Sequence, residues 1–177
     1  MGSDADRAGS ADRSQGGPAS RVGLGADSHP FGPGSPLVLG GIEIAGGYRL
    51  YGHSDGDVAL HAVADALLGA AGLGDLGRLF PAGPETPEGV PSRELLGEVV
   101  SRLTVAGWRI SSVDLTIVAA RPRLGGLLDT MRGAIAPILG LPADLVSVKA
   151  SSGNLAGMEG AGRGISATAI AAIDRSR

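Results

Sequence analysis

Two periodicities alternate along the chain, and each predicts a different kind of element. Runs rich in aliphatic and β-branched residues predict β-strands over residues 21–25, 36–44, 108–119, 146–150 and 164–173. Gly40 and Gly41 divide the second run, which indicates a hairpin turn or a bulge. The last run is rich in alanine, so helix propensity competes there with the strand prediction.

Apolar residues at helical spacing predict three helices between these strands. The first covers residues 57–71. The second begins at Pro91, buries a stripe of leucine and valine, and ends before Gly107. The third covers residues 125–139 and is expected to be interrupted at Pro137. This order of elements predicts an α+β fold, with a mixed β-sheet and helices on one face.

Composition limits the class of protein. The chain has 177 residues, of which 43% are apolar, so we expect one soluble globular domain. The formal net charge of −3 argues against a nucleic-acid partner. No apolar run approaches the roughly 20 residues of a membrane span, so no membrane association is expected. Cysteine is absent, which excludes disulfides and thiolate metal ligands and fits a cytoplasmic enzyme.

The first 20 residues differ from the rest of the chain. They are mainly Gly, Ser, Ala, Asp and Arg, without periodicity and with almost nothing to bury. They lack the apolar segment of a secretory signal, and their aspartates argue against a transit peptide. We therefore expect a disordered tail over residues 1–20 and one folded domain over residues 21–177.

All three histidines of the chain lie near aspartates. Asp27 and His29 are two residues apart, so on an extended strand both side chains leave the same face. His61 lies in a run with helical apolar spacing, between Asp57 and Asp65 at four-residue steps. Two imidazoles and one carboxylate suit zinc in an open site, where one position is left for water or substrate.

Each of these residues also has an ordinary structural interpretation. An Asp-x-His pair often occurs by chance, and a single helical histidine such as His61 is commonly part of a core. Asp55 and Asp57 precede the predicted helix, where acidic residues cap the first turn and complement the helix dipole. The sequence favours this capping role for Asp57.

Longer segments of the sequence distinguish these possibilities. They are RVGLGADSHPF near the start, GHSDGDVALHAVADALL and LGDLGRLFP in the middle, and VDLTIVAARPRL and VSVKASSGNLAG in the second half. Over residues 21–173 the chain closely resembles the 2-C-methyl-D-erythritol 2,4-cyclodiphosphate synthase family. That family closes a cyclic diphosphate in the non-mevalonate route to isoprenoid precursors. The resemblance implies a homotrimer with three sheets around a common axis, which would cover the bare face of each sheet.

The resemblance implies roles for residues in the first half of the chain. Asp27, His29 and His61 match the ligands of a divalent ion, usually zinc, and the first two also lie at the substrate in the family. His53 matches a histidine just outside the metal ligands that stabilises the transition state through the diphosphate. Ser54 beside it can donate a hydrogen bond to the substrate.

Other positions match the family's substrate-binding segments. Asp75, Gly77 and Phe80 match a wall against the sugar-derived part of the substrate, although an Asx turn and core packing are ordinary alternatives. A nucleotide pocket is implied that belongs to the neighbouring subunit's side of a shared site. The residues implied in this pocket and its phosphate-contacting loop are Ala119, Arg123, Leu124, Ala150, Ser151, Ser152, Asn154, Met158 and Arg163. Ser152, like His53, is expected to be catalytic.

The chain departs from the family at two positions. Most members carry a glutamate where this chain has Asn154, and an amide is a weaker ligand for a magnesium ion that bridges two phosphates. A magnesium site of lowered affinity is therefore expected. An arginine expected in the same loop is replaced by Ala161, while Arg163 lies two residues further on.

The resemblance implies a phosphorus-oxygen lyase. Its substrate would be cytidine diphosphate joined to methylerythritol 2-phosphate, whose 2-phosphate attacks the β-phosphorus so that CMP leaves. Such a transfer needs positioning and charge neutralisation rather than a general base. Two alternatives stay open: a metal-dependent phosphoesterase, and a catalytically weakened trimeric module that binds metal and ligand, which Asn154 favours.

Overall fold

The computed structural model describes residues 19–176. Its strands are β1 (Ser20–Pro30), β2 (Leu37–Leu39), β3 (Ile42–Ile44), β4 (Trp108–Val118), β5 (Val146–Ser151) and β6 (Gly164–Arg175). Its α-helices are α1 (Val58–Ala71), α2 (Leu76–Leu79), α3 (Ser92–Val105), α4 (Leu128–Leu139) and α5 (Gly157–Gly160). Short 3-10 turns cover Ala143–Leu145 and Gly153–Leu155. Residues 1–18 of the predicted tail lie outside the described residues, and their disorder stays a prediction, whereas Ser20, the last residue of that tail, begins β1.

Four strands form one mixed sheet in the order β1-β6-β4-β5. β6 is antiparallel to β1 and to β4, whereas β5 is parallel to β4, because the chain returns through α4 between them. The other two strands, β2 and β3, form a separate antiparallel hairpin, as the glycine pair in this segment predicted. The predicted α+β fold with a mixed sheet is therefore confirmed.

Helix α1 lies directly on the backbone of β1. A side chain at Gly23 would bring its Cβ to 2.0 Å from the carbonyl oxygen of Ala66, and one at Gly25 would come to 2.1 Å from that of Ala62. Only glycines in the strand permit so close an approach. Because Asp27 follows Gly25 in the strand and His61 precedes Ala62 in the helix, the same packing brings those two side chains together.

The alanine-rich last segment forms strand β6 rather than a helix. Its buried positions alternate with exposed or partly exposed ones, and the buried residues on the helix side include Ala167, Ala169 and Ala171. This period of two is that of a strand with one face in the core. Small side chains here leave room for α1, which packs on β6 as well as on β1.

β1 is longer than the sequence pattern predicted. It does not end at Gly25 but pairs with β6 as far as Pro30. The additional residues carry Asp27 and His29, so both are on a regular strand with their side chains on the same face. The predicted end was wrong because polar side chains replace the apolar alternation where the functional site begins.

The boundaries of α4 also differ from the prediction. The helix begins at Leu128 rather than at Gly125, since the glycines at residues 125 and 126 are poor helix formers. It is not interrupted at Pro137 but continues to Leu139. A proline in the last turn removes a single backbone hydrogen bond, which a packed helix tolerates.

The start of α1 is held by one carboxylate. Asp57 caps the helix and accepts hydrogen bonds from the N–H groups of Ala59 and Leu60, so the predicted capping role is confirmed. The same fully buried side chain accepts the N–H groups of Gly40 and Gly41 in the turn between β2 and β3. Burial raises the pKa of Asp57, and these N–H groups oppose the rise. Asp57 therefore fixes the hairpin to the helix.

The sheet face opposite the helices is bare in a single chain. Val22 and Leu24 of β1 are 69% and 67% exposed, and Ile170 of β6 is 48% exposed. Leu24 and Ile170 are directly paired across the two strands. They form one contiguous apolar patch, of the kind that marks a protein interface. None of the described helices is long and apolar enough to span a membrane.

Candidate metal centre and adjoining pockets

Asp27, His29 and His61 meet at the end of β1. Asp27 Oδ2 lies 2.8 Å from His29 Nε2 and 2.9 Å from His61 Nδ1. One ligand atom from each residue lies within 4.8 Å of the others, and all three side chains are partly buried. Within residues 19–176 this is the only group of three or more His, Cys, Asp or Glu side chains that converge in this way. It is the ligand set that the sequence predicted.

The hydrogen bonds of His29 determine which ring nitrogen faces the centre. Its Nδ1 contacts the backbone carbonyl oxygen of Tyr51, which can only accept, so Nδ1 carries the proton. In the neutral ring Nε2 then carries a lone pair, which points at the Asp27 carboxylate. Two lone pairs at 2.8 Å require a positive charge between them, which either a second proton or a metal ion can supply.

The pKa values of Asp27 and His29 reflect this arrangement. Burial alone would raise the pKa of Asp27, but hydrogen bonds and positive charge from His29 and His61 hold it well below its usual range. The hydrogen bond to Asp27 raises the pKa of His29, against the effect of burial. Carboxylate and imidazole ligands release such protons when they bind a divalent cation. These residues fit such an ion, and the open side of the centre leaves room for a further ligand.

A pocket adjoins His61 on its exposed side, and we call it the metal-side pocket. It is lined by His53, Ser54, His61, Leu76, Gly77, Phe80, Thr86, Val90 and Leu95. The structure therefore brings His53, Ser54, Gly77 and Phe80 together beside the centre. His53 is not one of the converging ligands; its Nε2 donates to the carbonyl oxygen of Thr86 at 2.6 Å, which leaves Nδ1 for a ligand.

Asp75 does not line the metal-side pocket. It caps helix α2, accepting the N–H of Arg78 at 2.9 Å and pairing with the guanidinium of the same residue. A second carboxylate fixes this turn to α1: Asp65 Oδ1 accepts the N–H of Leu76 at 2.7 Å. Burial, with the negative charges of Asp75 and Asp27, raises the pKa of Asp65. Asp65 thus aligns the turn that supplies Gly77 with the helix that supplies His61.

A second site lies where β4 and β5 end, and we call it the serine pocket. It consists of two adjoining hollows lined by Ala119, Ala120, Arg123, Leu124, Gly125, Leu128, Ala150, Ser151, Ser152, Asn154, Leu155 and Gly160. Seven of the nine residues predicted for the nucleotide and phosphate segments are in this set. It shares no lining residue with the metal-side pocket.

The backbone of the serine pocket is unusual. Asn154 and Leu155 have positive φ values of 48° and 64°, which residues other than glycine seldom adopt. Leu155 is also 88% exposed. The hydroxyl of Ser152 meets the backbone N–H and side-chain oxygen of Asn154 only at 3.4 Å. An amide, a hydroxyl and the nearby Arg123 guanidinium do not by themselves make a magnesium site.

Met158 and Arg163 line neither pocket. The side chain of Met158 packs where a Cβ on Gly164 would be. Arg163 is exposed, and its backbone joins the loop to the end of β1, since its carbonyl oxygen accepts the N–H of Phe31 at 2.9 Å. The structure therefore leaves their predicted substrate contacts as a prediction.

Two residues were missed from the sequence: Ser92 beside the metal centre, and Arg121, which lines neither pocket but contacts the loop that carries Gly162. Ser92, taken only as part of a helix start, is 1% exposed and lies 2.9 Å from His61 Nε2. Arg121 donates from Nε to the carbonyl oxygen of Gly162 at 2.8 Å and stacks on the rings of Phe31 and Tyr48. The one signal available for Ser92 was a serine at a helix start, which capping also explains. No periodic pattern in the sequence pointed to Arg121.

Known proteins that are similar to this chain show whether it belongs to the family that its sequence resembles. The sequence model of the YgbB family matches residues 20–174. A relative named 2-C-methyl-D-erythritol 2,4-cyclodiphosphate synthase from Methylococcus capsulatus is 48% identical over 155 residues, which are 88% of this chain and 98% of the relative.

Solved structures agree with this match. A 2C-methyl-D-erythritol-2,4-cyclodiphosphate synthase in a bound form with CDP has a TM-score of 0.77 and 34% identity, over 87% of this chain and all of that chain. The bifunctional IspDF from Campylobacter jejuni has a TM-score of 0.84 and 33% identity, and this chain spans 42% of its length. Because the family match extends from β1 to β6 and the curated relative is covered almost completely, this chain belongs to the YgbB family of 2-C-methyl-D-erythritol 2,4-cyclodiphosphate synthases.

Proposed function

We propose that the protein is a 2-C-methyl-D-erythritol 2,4-cyclodiphosphate synthase, a phosphorus-oxygen lyase of isoprenoid precursor synthesis. It would convert 4-diphosphocytidyl-methylerythritol 2-phosphate into the cyclic diphosphate and CMP. The observation that supports this most strongly is the convergence of three ligand atoms from Asp27, His29 and His61 beside a pocket that contains His53 and Ser54. Family membership supplies the reaction, and the centre supplies a means of neutralising phosphate charge.

The side chains of the metal-side pocket suit this transfer. Asp27, His29 and His61 would hold a divalent ion, zinc in our proposal, and the ion would act as a Lewis acid on phosphate oxygens. His53 Nε2 donates to the Thr86 carbonyl oxygen, so Nδ1 would donate to a phosphate oxygen only in the doubly protonated ring, which the phosphate charge would stabilise. The hydroxyl of Ser54 already accepts the N–H of Gly56 at 3.1 Å, which leaves its own proton for the substrate.

The Ser54 hydroxyl lies 3.0 Å from His61 Nε2, but the proposal assigns His61 to the ion, so it uses no nucleophile and base from this pocket. The attacking 2-phosphate is anionic at neutral pH, so in-line positioning and charge neutralisation are sufficient. Gly77 and Phe80 would form the wall against the methylerythritol portion, and Asp75 would reach its hydroxyls from the rim. Ser152 would stabilise the leaving side of the diphosphate.

The separation of the two pockets supports an active site shared between subunits. Ser28, next to Asp27, is in one row of the sheet with Ser166, Val118 and Ser151. Three inter-strand steps of about 4.8 Å put the ends of this row roughly 14 Å apart. Adjacent phosphates of one substrate cannot contact both ends. We therefore propose a homotrimer in which the serine pocket of one chain faces the metal-side pocket of the next, with the bare apolar sheet face at the common axis.

The donor set around Asn154 does not fit magnesium without further ligands, so we assign no step to that ion. Substrate phosphates would have to complete its coordination. Arg123 and Arg163 are alternative sources of positive charge near the phosphates. A cytoplasmic location stays a prediction from the sequence.

A direct assay tests the proposed reaction. Purified protein with zinc and magnesium is incubated with the cytidine-linked substrate, and phosphorus NMR follows the products. The synthase gives CMP and a cyclic diphosphate. Release of inorganic phosphate or a linear monophosphate would favour the phosphoesterase, and bound but unchanged substrate would favour the binding module.

Coexpression of two variants tests the shared site. His61→Ala impairs only the metal side, and Ser152→Ala only the serine side, so each variant alone should have little activity. In randomly mixed trimers about one quarter of the sites combine two intact sides, and activity should return to about that fraction of the wild-type value. Mixed trimers without recovery would show that each active site lies within one chain.

A further inference from the structure

We propose that Ser92 and Asp55 are positioning residues for the metal centre, through a hydrogen-bond relay that runs from His61 to Ser92 to Asp55. The relay orients the His61 ring and fixes the proton on Nε2, so that Nδ1 is presented to the ion. It rests on the metal centre in the proposed function and adds two residues to it. Both residues lie outside the converging ligand set.

The first step of the relay follows from the hydroxyl of Ser92. Its Oγ contacts a carboxylate oxygen of Asp55 and lies 2.9 Å from His61 Nε2. A hydroxyl has one proton, and an ionised carboxylate can only accept. The Ser92 proton is therefore donated to Asp55. Ser92 Oγ must then accept from His61, which requires the proton of the imidazole to be on Nε2.

The second step concerns the other ring nitrogen. With Nε2 protonated, the neutral ring of His61 has its lone pair on Nδ1, and that atom lies 2.9 Å from Asp27 Oδ2. His29 presents a lone pair to the same oxygen, as its contact with Tyr51 requires. Two separate networks, one through a backbone carbonyl and one through Ser92, thus prepare both imidazoles for a cation.

The geometry of Asp55 suits the end of the relay. Besides the Ser92 hydroxyl, its carboxylate accepts the N–H of Ser92 at 3.0 Å and that of Asp57 at 3.2 Å. These bonds hold it between the starts of α1 and α3. The relay therefore links the helix that carries His61 to the first residue of α3. It also explains why a serine, only 1% exposed as a residue, is buried at that position.

Ser54 is the competing acceptor for His61. Its Oγ lies 3.0 Å from His61 Nε2 and 3.3 Å from Ser92 Oγ, but no carboxylate accepts its proton. Ser54 can therefore turn its proton toward a ligand in the metal-side pocket, while Ser92 cannot. The two serines therefore have different roles: Ser92 orients His61, and Ser54 is available to the substrate.

The test measures zinc affinity of the whole protein by chelator competition, for Ser92→Ala, Asp55→Asn and the double variant. Loss of a partner beyond the ligands typically weakens metal affinity about 10- to 100-fold, and we expect Ser92→Ala in this range. Asp55→Asn should weaken it less, because an amide oxygen still accepts. In the double variant, the Asp55 change should cause no loss of zinc affinity beyond that of Ser92→Ala alone. Ser101→Ala on α3 is the control; its hydroxyl bonds only the Gly97 carbonyl, and its affinity should equal that of the wild type.

A second readout separates orientation from stability. In the zinc-bound protein a protected Nε2–H proton of His61 should be visible by NMR, and Ser92→Ala should speed its exchange with water. Thermal unfolding of the metal-free Ser92→Ala variant checks that it folds. If wild-type protein binds zinc and Ser92→Ala binds it within twofold as tightly, or if the two changes are additive, the relay is wrong. If wild-type protein binds no zinc, the metal centre of the proposed function fails instead.

Discussion

The metal-side pocket and the serine pocket are built in opposite ways. The centre beside the first rests on a strand and a helix in direct backbone contact, and its side chains are partly buried and hydrogen-bonded on both sides. The second is made of loops after β4 and β5, with exposed serines, long hydrogen bonds and two residues in the left-handed region. One chain preorganises the metal side, whereas in our proposal the serine side is completed by the substrate and a neighbouring subunit.

The largest expected effect comes from His61→Ala on the metal side. Removal of one of three ligands should abolish stoichiometric zinc binding and lower activity on the order of 1000-fold. His53→Ala is the matched control, because it removes a histidine of the same pocket that is not a ligand. It should keep the ion and lose activity only. Metal analysis of the purified variants decides: zinc retained in His61→Ala would contradict the ligand set.

Asp57→Ala tests how far the metal side depends on its scaffold. This buried carboxylate accepts four backbone N–H groups, which alanine would leave unsatisfied. We expect a loss of about 3 kcal/mol in the free energy of unfolding, measured by denaturant titration. Asp57→Asn keeps one acceptor oxygen and should lose less. A loss below about 1 kcal/mol for the alanine variant would show that the hairpin and helix are held by packing instead.

Asn154→Glu tests whether the serine pocket lacks a ligand. A carboxylate is a better ligand for a hard cation than an amide, so the variant should reach half-maximal activity at roughly 10-fold lower magnesium. Activity titrated with magnesium at fixed zinc gives the comparison. If the natural chain is inactive at any magnesium concentration and the glutamate variant is active, the binding-module alternative is favoured. If neither responds to magnesium, Arg123 or Arg163 is the better candidate for neutralising charge.

Leu155→Gly should have the smallest effect. A left-handed conformation costs a residue with a side chain roughly 1–2 kcal/mol, and the exposed leucine has little packing to lose in one chain. Glycine should therefore stabilise the subunit by about 1 kcal/mol. Ala156→Gly, at a φ of −89°, is the matched control and should destabilise it slightly. If Leu155→Gly instead weakens assembly in sedimentation, Leu155 packs on a neighbouring subunit.

Sequence patterns predicted the helices and strands whose residues follow a regular period. They missed the features that depend on contacts between residues far apart in the chain. Helix α1 and its cap were predicted because apolar spacing and an acidic residue at a helix start are local signals. The end of β1 was wrong because Asp27 and His29 interrupt its apolar alternation, and only pairing with β6 extends the strand. Ser92 was missed for a related reason: in sequence it is one more serine before a helix, 31 residues from His61.

The sequence by itself indicated the chemistry of this protein, because the candidate ligand residues and the segments that resemble the family can be read directly from the chain. It also determined the α+β class, because periodicity is a local property. Only the tertiary structure decided which nitrogen of each histidine faces the centre, that Ser92 and Asp55 stand behind His61, and that the two pockets lie apart in one chain. These are consequences of hydrogen-bond partners and strand register, which join residues far apart in sequence and leave no local pattern.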